Sequence, residues 1–359
     1  MLILRVVVFL IGIQIIWHTI KSAVVTFVLP RSSRHWITST LFVIMRRVFD
    51  LRVRQMKTYT ERDRVMALYA PVSLLVLVPV WMALVLIGYA CLYWVAGIDS
   101  INRAFLISGS SLLTLGFAIV DTPIESFLSF TEAMIGLILV AVLIAYLPTM
   151  YSAFSRREVA VNQLAVRAGT PPSALELILR ANRIGELPNM RDFWLQWETW
   201  FSEVEESHTS LAALVFFRSP DPQRSWVTAA GAVLDSSALI TAVVDVPRQA
   251  QRELCIRAGY LCLRRIADFF EVTYDAAAHF PEAPISITRT EFDELCNKLI
   301  ESGVPVKPDR EKAWLDFGGW RVNYDKVLLR LCSLTMTPDA PWSTDHAPAY
   351  RPIPFFHRK

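Results

Sequence analysis

The sequence has little charge and lacks the short motifs of many soluble enzymes. Charged residues make up only 19% of the 359 residues, hydrophobic residues make up 53%, and the mean hydropathy is +0.38. These values lie on the membrane side of ordinary soluble composition. No P-loop and no Gly-x-Gly-x-x-Gly is present, so a nucleotide-binding Rossmann domain is not supported. The six histidines form no ligand cluster and no nucleophile stands beside a base, so we expect no enzyme.

Cysteine is also sparse, and its spacing excludes the common metal motifs. The five cysteines include no Cys-x-x-Cys pair, and their odd number favours free thiols. Charge is uneven along the chain. Residues 1–154 carry 12 Lys and Arg against 7 Asp and Glu, whereas residues 155–359 carry 24 against 26. The basic excess therefore belongs to the apolar half, and nothing indicates a nucleic-acid partner.

Three apolar runs are long enough to cross a bilayer, which takes about 20 helical residues. They cover residues 6–29, 71–95 and 126–151. Because Arg5 precedes the first run, a signal peptide is an alternative reading for it. The run is long, however, and no clear small-residue cleavage site precedes Pro30, so we favour a retained helix.

The loops between these runs predict the orientation. Residues 30–66 carry nine Lys and Arg against three Asp and Glu, whereas residues 97–122 carry Arg103 as their only basic residue. The positive-inside rule places residues 30–66 in the cytoplasm and residues 97–122 outside. We therefore expect a multi-pass protein of the plasma or inner membrane, with its N-terminus outside and its C-terminal part in the cytoplasm.

Residues 33–58 have an apolar helical face, with arginines elsewhere. One reading is a cytoplasmic helix packed on the protein. The other is a helix in the membrane interface that contacts anionic lipid. The arginines available for that contact are Arg46, Arg47, Arg52 and Arg54.

A polar, glycine-containing stretch lies between the second and third apolar runs. It covers residues 108–118, and its backbone is tolerated at membrane depth only if it is buried in protein or lines a watery path. Asp99 and Ser100 are good N-cap residues, and residues 101–113 can form a short helix. That helix is expected to end at Thr114-Leu115-Gly116-Phe117-Ala118.

This order of helix, short helix, Thr-x-Gly-aromatic and helix resembles the pore module of the potassium-channel family, in its form with two helices and a pore loop. The resemblance covers residues 71–155. It implies a homotetramer in which the carbonyls of the filter residues coordinate a monovalent cation, which is K⁺ in this family. The implied filter residues are Thr114, Leu115, Gly116, Phe117 and Ala118. The implied gating residues are the hinge Gly136 and a pore-facing stripe of Leu139, Val142 and Tyr146.

The chain also departs from that family. Ala118 stands where the family has its second filter glycine, and a left-handed residue with a Cβ costs about 1–2 kcal/mol. Ile119 stands where an acidic residue is usual. We therefore expect a modified filter with weaker discrimination of K⁺ from Na⁺, or one that no longer conducts. A chance extracellular loop is the structural alternative. Glu132, in the third run, is expected to hydrogen-bond the pore loop.

The C-terminal half reads as mostly helical, without strong strand signals. Residues 227–246 are almost uncharged, but Asp235, Ser236 and Ser237 argue for a buried core helix and against a fourth span. The tryptophans at positions 194, 197 and 200 share a face and indicate core packing. The Pro-rich residues 337–359 predict an extended tail.

The predicted fold is an all-α membrane protein with three transmembrane helices, a re-entrant pore loop and a helical cytoplasmic domain. The expected parts are residues 1–66 (first helix and basic segment), 67–154 (pore module), 155–336 (cytoplasmic domain) and 337–359 (tail). The expected function is a homotetrameric cation channel without a cofactor, whose cytoplasmic domain takes an unknown ligand. The alternative is a non-conducting, membrane-anchored sensor or interaction protein.

Overall fold

A computed structural model describes residues 2–27 and 35–348, and these are all-helical, with 73% helix and no strand. The predicted all-α class is therefore confirmed. The end of the first apolar run, Arg31 and Arg34, and the tail beyond residue 348 lie outside the described residues. The helices are α1 Leu2–Phe27, α2 Trp36–Val53, α3 Tyr59–Met66, α4 Tyr69–Ala96, α5 Ile101–Leu112, α6 Pro123–Ala168, α7 Ala174–Arg183, α8 Arg191–Ser210, α9 Trp226–Ala242, α10 Ala250–Phe269, α11 Arg289–Glu301, α12 Arg310–Arg321 and α13 Asp325–Thr335.

Three helical stretches are long and apolar enough to span a membrane, as expected. They are Leu2–Phe27, Tyr59–Ala96 and Pro123–Ala168. The last has 46 residues and a length of about 69 Å at 1.5 Å per residue. Pro148 lies within it and does not end it.

The chain divides into two compact units. The apolar unit comprises residues 1–51 and 68–152, and the C-terminal unit comprises residues 52–67 and 153–359. Residues 52–66, which the expected boundaries assign to the N-terminal segment, thus belong to the C-terminal unit. The helix α6 contributes to both units.

In the apolar unit, α1 packs directly on α4 through glycine. A Cβ on Gly12 would lie 2.9 Å from the carbonyl oxygen of Gly88, and a Cβ on Gly88 would lie 2.6 Å from Ile16. Small residues permit this close approach of two apolar helices. The contact continues where the indole Nε1 of Trp81 donates to Ser22 Oγ at 3.2 Å.

The helix α2 has a buried arginine and a partly exposed apolar face. Arg46 is 2% exposed, pairs with Asp50 at 3.2 Å and lies over the ring of Tyr69. The expectation that Arg46 contacts lipid is therefore wrong, because its guanidinium is enclosed by the protein. The helix also leaves large apolar side chains exposed, namely Trp36, Ile44, Val48 and Leu51.

In the C-terminal unit, α9 is the central helix. Nearly all of its 17 residues are buried, which confirms a core helix in residues 227–246. Asp235 lies on it at 1% exposure and accepts from Tyr324 at 2.8 Å and from Arg321. Burial raises the pKa of Asp235 above its ordinary value, and the Arg321 guanidinium opposes that rise. Trp194, Trp197 and Trp200 are also buried, as expected.

The first part of the expected tail is folded. Thr337, Ala340 and Ser343 are buried, and the carbonyl of Trp342 accepts from Arg321 at 2.6 Å. The expectation of an extended tail is therefore wrong for residues 337–348, because this segment satisfies a buried arginine. All five cysteines are free thiols, as their spacing indicates.

Two arginines, Arg157 fully buried and Arg218 largely so, tie distant segments of the C-terminal unit together. Arg157, on α6, donates to His208 Nε2 at 3.0 Å and to the carbonyls of Leu214 and Phe217 at 2.9 and 2.7 Å. Arg218 pairs with Asp63 of α3 and donates to the carbonyl of Met336. Each arginine thereby holds together segments that are far apart in the sequence of this unit.

Candidate functional site

The helix α5 begins where the sequence predicts. Ser100 is its N-cap, and the Ser100 hydroxyl accepts from the backbone N–H of Arg103 at 3.4 Å. The helix has 12 residues, too few to cross a bilayer, and it lies in sequence between two helices that are long enough. It packs on α4 in the core of the apolar unit, where Ala104 and Ile107 are buried.

The C-terminus of α5 closes in a Schellman motif. The N–H of Leu115 bonds to the carbonyl of Ser110 at 2.8 Å, and the N–H of Thr114 bonds to the carbonyl of Ser111 at 3.0 Å. Thr114 occupies the position that is usually glycine, with φ of 54°. A left-handed threonine costs about 1–2 kcal/mol, so the surrounding contacts hold the turn in place.

The loop that follows, residues 113–122, presents apolar side chains and an open glycine. Leu115 and Phe117 are each 60% exposed. Gly116 has φ of 71°, and a Cβ there would contact nothing within 4 Å. Ala118 is not among the residues with positive φ, so the backbone strain expected at this position is absent. Its N–H instead donates to Ser110 Oγ at 3.1 Å.

Serines anchor α5 and the loop to α6. Ser108 donates to the carboxyl of Glu132 at 2.5 Å, and Ser111 shares a hydrogen bond of 2.8 Å with Ser129. Glu132 and Ser108 are both fully buried. The expected hydrogen bond of Glu132 to the segment 108–118 is therefore confirmed. The serine pairing itself was not predicted, although small polar residues at positions 108, 110 and 111 within an apolar region were its signal.

The far end of the loop is held by charge and by the start of α6. Arg103 pairs with Asp121 at 3.0 Å, with both side chains more than half exposed. The N–H of Asp121 donates to Glu125 Oε2 at 2.9 Å, and Thr122 Oγ1 accepts from the Glu125 N–H at 3.2 Å. Both ends of the loop are therefore fixed within a single chain.

Gly136 lies where α6 crosses the end of α5. A Cβ on Gly136 would lie 2.3 Å from the carbonyl oxygen of Leu112. The position requires glycine for close packing, because any larger residue would meet backbone. This is a different reason for a glycine from the expected hinge.

Two of the three residues of the expected pore-facing stripe are buried within the chain. Leu139 is 4% exposed and Tyr146 is 7% exposed, and the Tyr146 ring lies 4.4 Å from that of Phe27. Val142 is half-buried. This differs from the expectation, because a side chain packed on its own subunit cannot line a shared pore. The exposed face of α6 instead carries Leu137, Ile138, Val140 and Ile144.

The tip of the loop, residues 114–118, offers uncharged oxygen ligands. Within residues 2–27 and 35–348, no group of three His, Cys, Asp or Glu side chains is placed to hold a metal ion. At the tip the oxygens are main-chain carbonyls and the hydroxyl of Thr114, which suit a weakly held monovalent cation, whereas Asp121 and Thr122 at the far end contact Arg103 and Glu125.

Comparison with known proteins gives no relative. The chain matches no protein-family model, and no curated protein or solved structure is significantly similar to it.

Proposed function

We propose that the chain is a cation channel of a cell membrane, built from four copies with the loop 113–122 of each copy at the shared axis. The observation that carries this proposal is a helix too short to span a membrane, which lies in sequence between two helices long and apolar enough to do so and is followed by a loop that is anchored yet exposed. Ser110 Oγ accepts from the N–H of Ala118, and the carboxyl of Glu132 accepts from the hydroxyl of Ser108. The side chains of Leu115 and Phe117 are exposed.

In this arrangement the carbonyls of residues 114–117 replace part of the hydration shell of the ion. The C-terminal end of α5 carries partial negative charge and points into the same loop, which favours a cation. Because Ala118 is not left-handed, the filter differs from that of the potassium-channel family, and we propose weak discrimination between K⁺ and Na⁺.

The proposed topology places residues 30–66 and the C-terminal unit in the cytoplasm and the loop 113–122 outside, following the charge of the loops. The exposed face of α6, which includes Val140 and Ile144, then lines the inner pore or contacts a neighbouring subunit. Leu139 and Tyr146 are assigned to packing within the subunit.

The test is cation flux through the purified protein in liposomes under opposed K⁺ and Na⁺ gradients. Gly116→Ala adds a Cβ to a left-handed residue in open space, and Gly303→Ala makes the same change outside the apolar unit. Both variants carry the same backbone strain, of about 1–2 kcal/mol. We expect Gly116→Ala to abolish or alter flux and Gly303→Ala to leave it unchanged. Equal flux in both variants would refute a filter at residues 114–118.

The second candidate is a non-conducting, membrane-anchored interaction protein. It is favoured by the exposed apolar tip of the loop, where Ile119 is 78% exposed beside Phe117. Folded tetramers that carry no flux in either gradient would favour this candidate over the channel.

A further inference from the structure

A cleft of about 840 Å³ lies in the C-terminal unit, between the last turns of α6 and the helices α7 and α8. Its floor is apolar and already packed, since Leu164, Leu177 and Trp197 are at most 2% exposed. This volume suits a small organic ligand, and binding clefts of this size are typically apolar with a few polar groups.

The turn after α7 supplies one wall of the cleft. The helix α7 ends at Arg183, and Gly185 follows with φ of 74°. Its N–H bonds to the carbonyl of Asn182 at 3.0 Å, and the N–H of Glu186 bonds to the carbonyl of Ala181 at 2.9 Å. This glycine turn reverses the chain and brings Arg183 and Glu186 to the same cleft.

The cleft has more positively than negatively charged side chains. Arg167, Arg180 and Arg183 line it against a single carboxylate, Glu186. Arg167 Nη1 pairs with Glu186 Oε2 at 2.9 Å, but both side chains are about half exposed. Such exposed pairs contribute little to stability, so an incoming anion can take the place of Glu186. Within the described chain, Arg183 has no ion-pair partner.

The opposite wall offers a planar surface and amides. The guanidinium carbon of Arg167 lies 5.6 Å from the centre of the Phe193 ring. Gln196 Nε2 donates to Gln163 Oε1 at 2.6 Å, and both amides line the cleft. A flat ring can stack on a guanidinium that is itself held over an aromatic ring, and amides can bond the polar edge of such a ring.

We propose that this cleft binds a small aromatic anion, with its acidic group on Arg167 and Arg183 and its ring on the Arg167–Phe193 side. The anion is a nucleoside monophosphate or an aromatic carboxylate, and both have the same two-part chemistry. Its contacts join α6, which continues into the apolar unit, to α7 and α8. Binding stands independently of the channel proposal, whereas an effect of the ligand on flux rests on it.

The experiment is isothermal titration calorimetry of the full chain in detergent, with adenosine monophosphate and 2-naphthoate as probes. Adenosine and inorganic phosphate are the matched compounds that lack the acidic group or the ring. We expect saturable binding of at least one probe with a Kd below about 1 mM, and binding at least tenfold weaker for the compound that lacks either part. The probe that binds shows whether the acidic group of the ligand is a phosphate or a carboxylate.

Variants with opposite expected effects separate a ligand site from general damage. Arg183→Ala removes an unpaired cation and is expected to weaken binding about tenfold. Glu186→Gln removes the competing carboxylate and is expected to strengthen binding severalfold. Arg330→Ala, on the exposed face of α13, removes the same charge elsewhere and should change nothing. Melting curves confirm that each variant is folded.

The proposal is overturned if neither probe binds, or if Arg183→Ala and Glu186→Gln leave the affinity unchanged. Inorganic phosphate that binds as tightly as either probe would reduce the site to a nonspecific anion contact and would also overturn it. Because calorimetry needs no ion flux, a failure of this proposal is distinguishable from a failure of the channel proposal.

Discussion

The crossing of α5 and α6 gives the sharpest test of how the candidate loop is held. Gly136→Ala places a Cβ 2.3 Å from the carbonyl oxygen of Leu112. In folded proteins a Cβ essentially never lies this close to a non-bonded heavy atom. The neighbour is backbone and cannot rotate away, so α5 or α6 must move by roughly 1 Å to restore van der Waals contact. Such movement reaches Thr114 directly, because it follows Leu112 by two residues.

The loss of stability caused by this close contact can be measured against a matched variant. Overpacking a well-packed interior costs about 1–3 kcal/mol. Replacing a helical glycine by alanine also gains about 1 kcal/mol of intrinsic helix propensity. Gly109→Ala, on α5, makes the same replacement with its nearest neighbour at an ordinary 3.7 Å. Since the helical gain is common to both, we expect Gly136→Ala to be about 1–3 kcal/mol less stable than Gly109→Ala.

The assay is thermal unfolding of both variants in one detergent, followed by flux in liposomes. The packing interpretation predicts that Gly136→Ala lowers the melting temperature relative to Gly109→Ala and also disturbs flux. A hinge at Gly136 predicts altered gating at unchanged stability. Equal melting temperatures for the two variants would refute the packing argument.

Three further predictions concern the polar contacts. Glu132→Leu removes one of the two acceptors of the Ser108 hydroxyl, the other being the carbonyl of Leu86, and is expected to lower the free energy of unfolding by about 1 kcal/mol in melts, whereas Glu132→Gln keeps the acceptor and loses less. Arg218→Ala leaves the carboxylate of Asp63 unpaired and is expected to cost about 3–5 kcal/mol in denaturant titrations followed by tryptophan fluorescence. Burial, together with the adjacent guanidinium of Arg157, holds the pKa of His208 well below 6.5. The unfolded chain therefore binds a proton that the folded chain does not, so the free energy of unfolding should be constant above pH 7 and fall as the pH drops from 7 to 5.

Each of these predictions has a control in the same chain. Arg224→Ala breaks a pair with Asp221 that is partly exposed, and it should cost less than about 1 kcal/mol. His208→Gln removes the titrating ring, so its melting temperature should depend less on pH than that of the wild type. A loss in Arg224→Ala as large as in Arg218→Ala would show that burial does not decide the effect. An unchanged pH profile in His208→Gln would assign the acid sensitivity to another group.

The sequence predicts the helices well because their signals are local. Ser100 caps α5 as expected, and the helix ends within one residue of the predicted 101–113. The polar centre of residues 227–246 correctly indicates a core helix. In both cases the cap or the hydropathy is a property of adjacent residues, so no tertiary information is needed.

Contacts between helices were harder to predict. The burial of Arg46 depends on Tyr69, and the folded start of the tail depends on Arg321, which is more than 15 residues away. The rotation of α6 was also missed, because an apolar helix gives no sequence signal for which apolar side faces its own subunit. The sequence therefore does not reveal that Leu139 and Tyr146 are buried within the chain.

The proposed filter shows how the pattern of a family can assign backbone strain to the wrong residue. The resemblance assigns glycine conformations by position, so it places the strained residue at Ala118. In this chain the positive φ falls on Thr114, because that residue closes α5 in the Schellman motif. Thr114 therefore closes a helix and, in the proposed channel, also offers its hydroxyl to the ion. Both roles fall on one backbone position, where the hydrogen bonds that the carbonyls of Ser110 and Ser111 accept offset the cost of the left-handed turn.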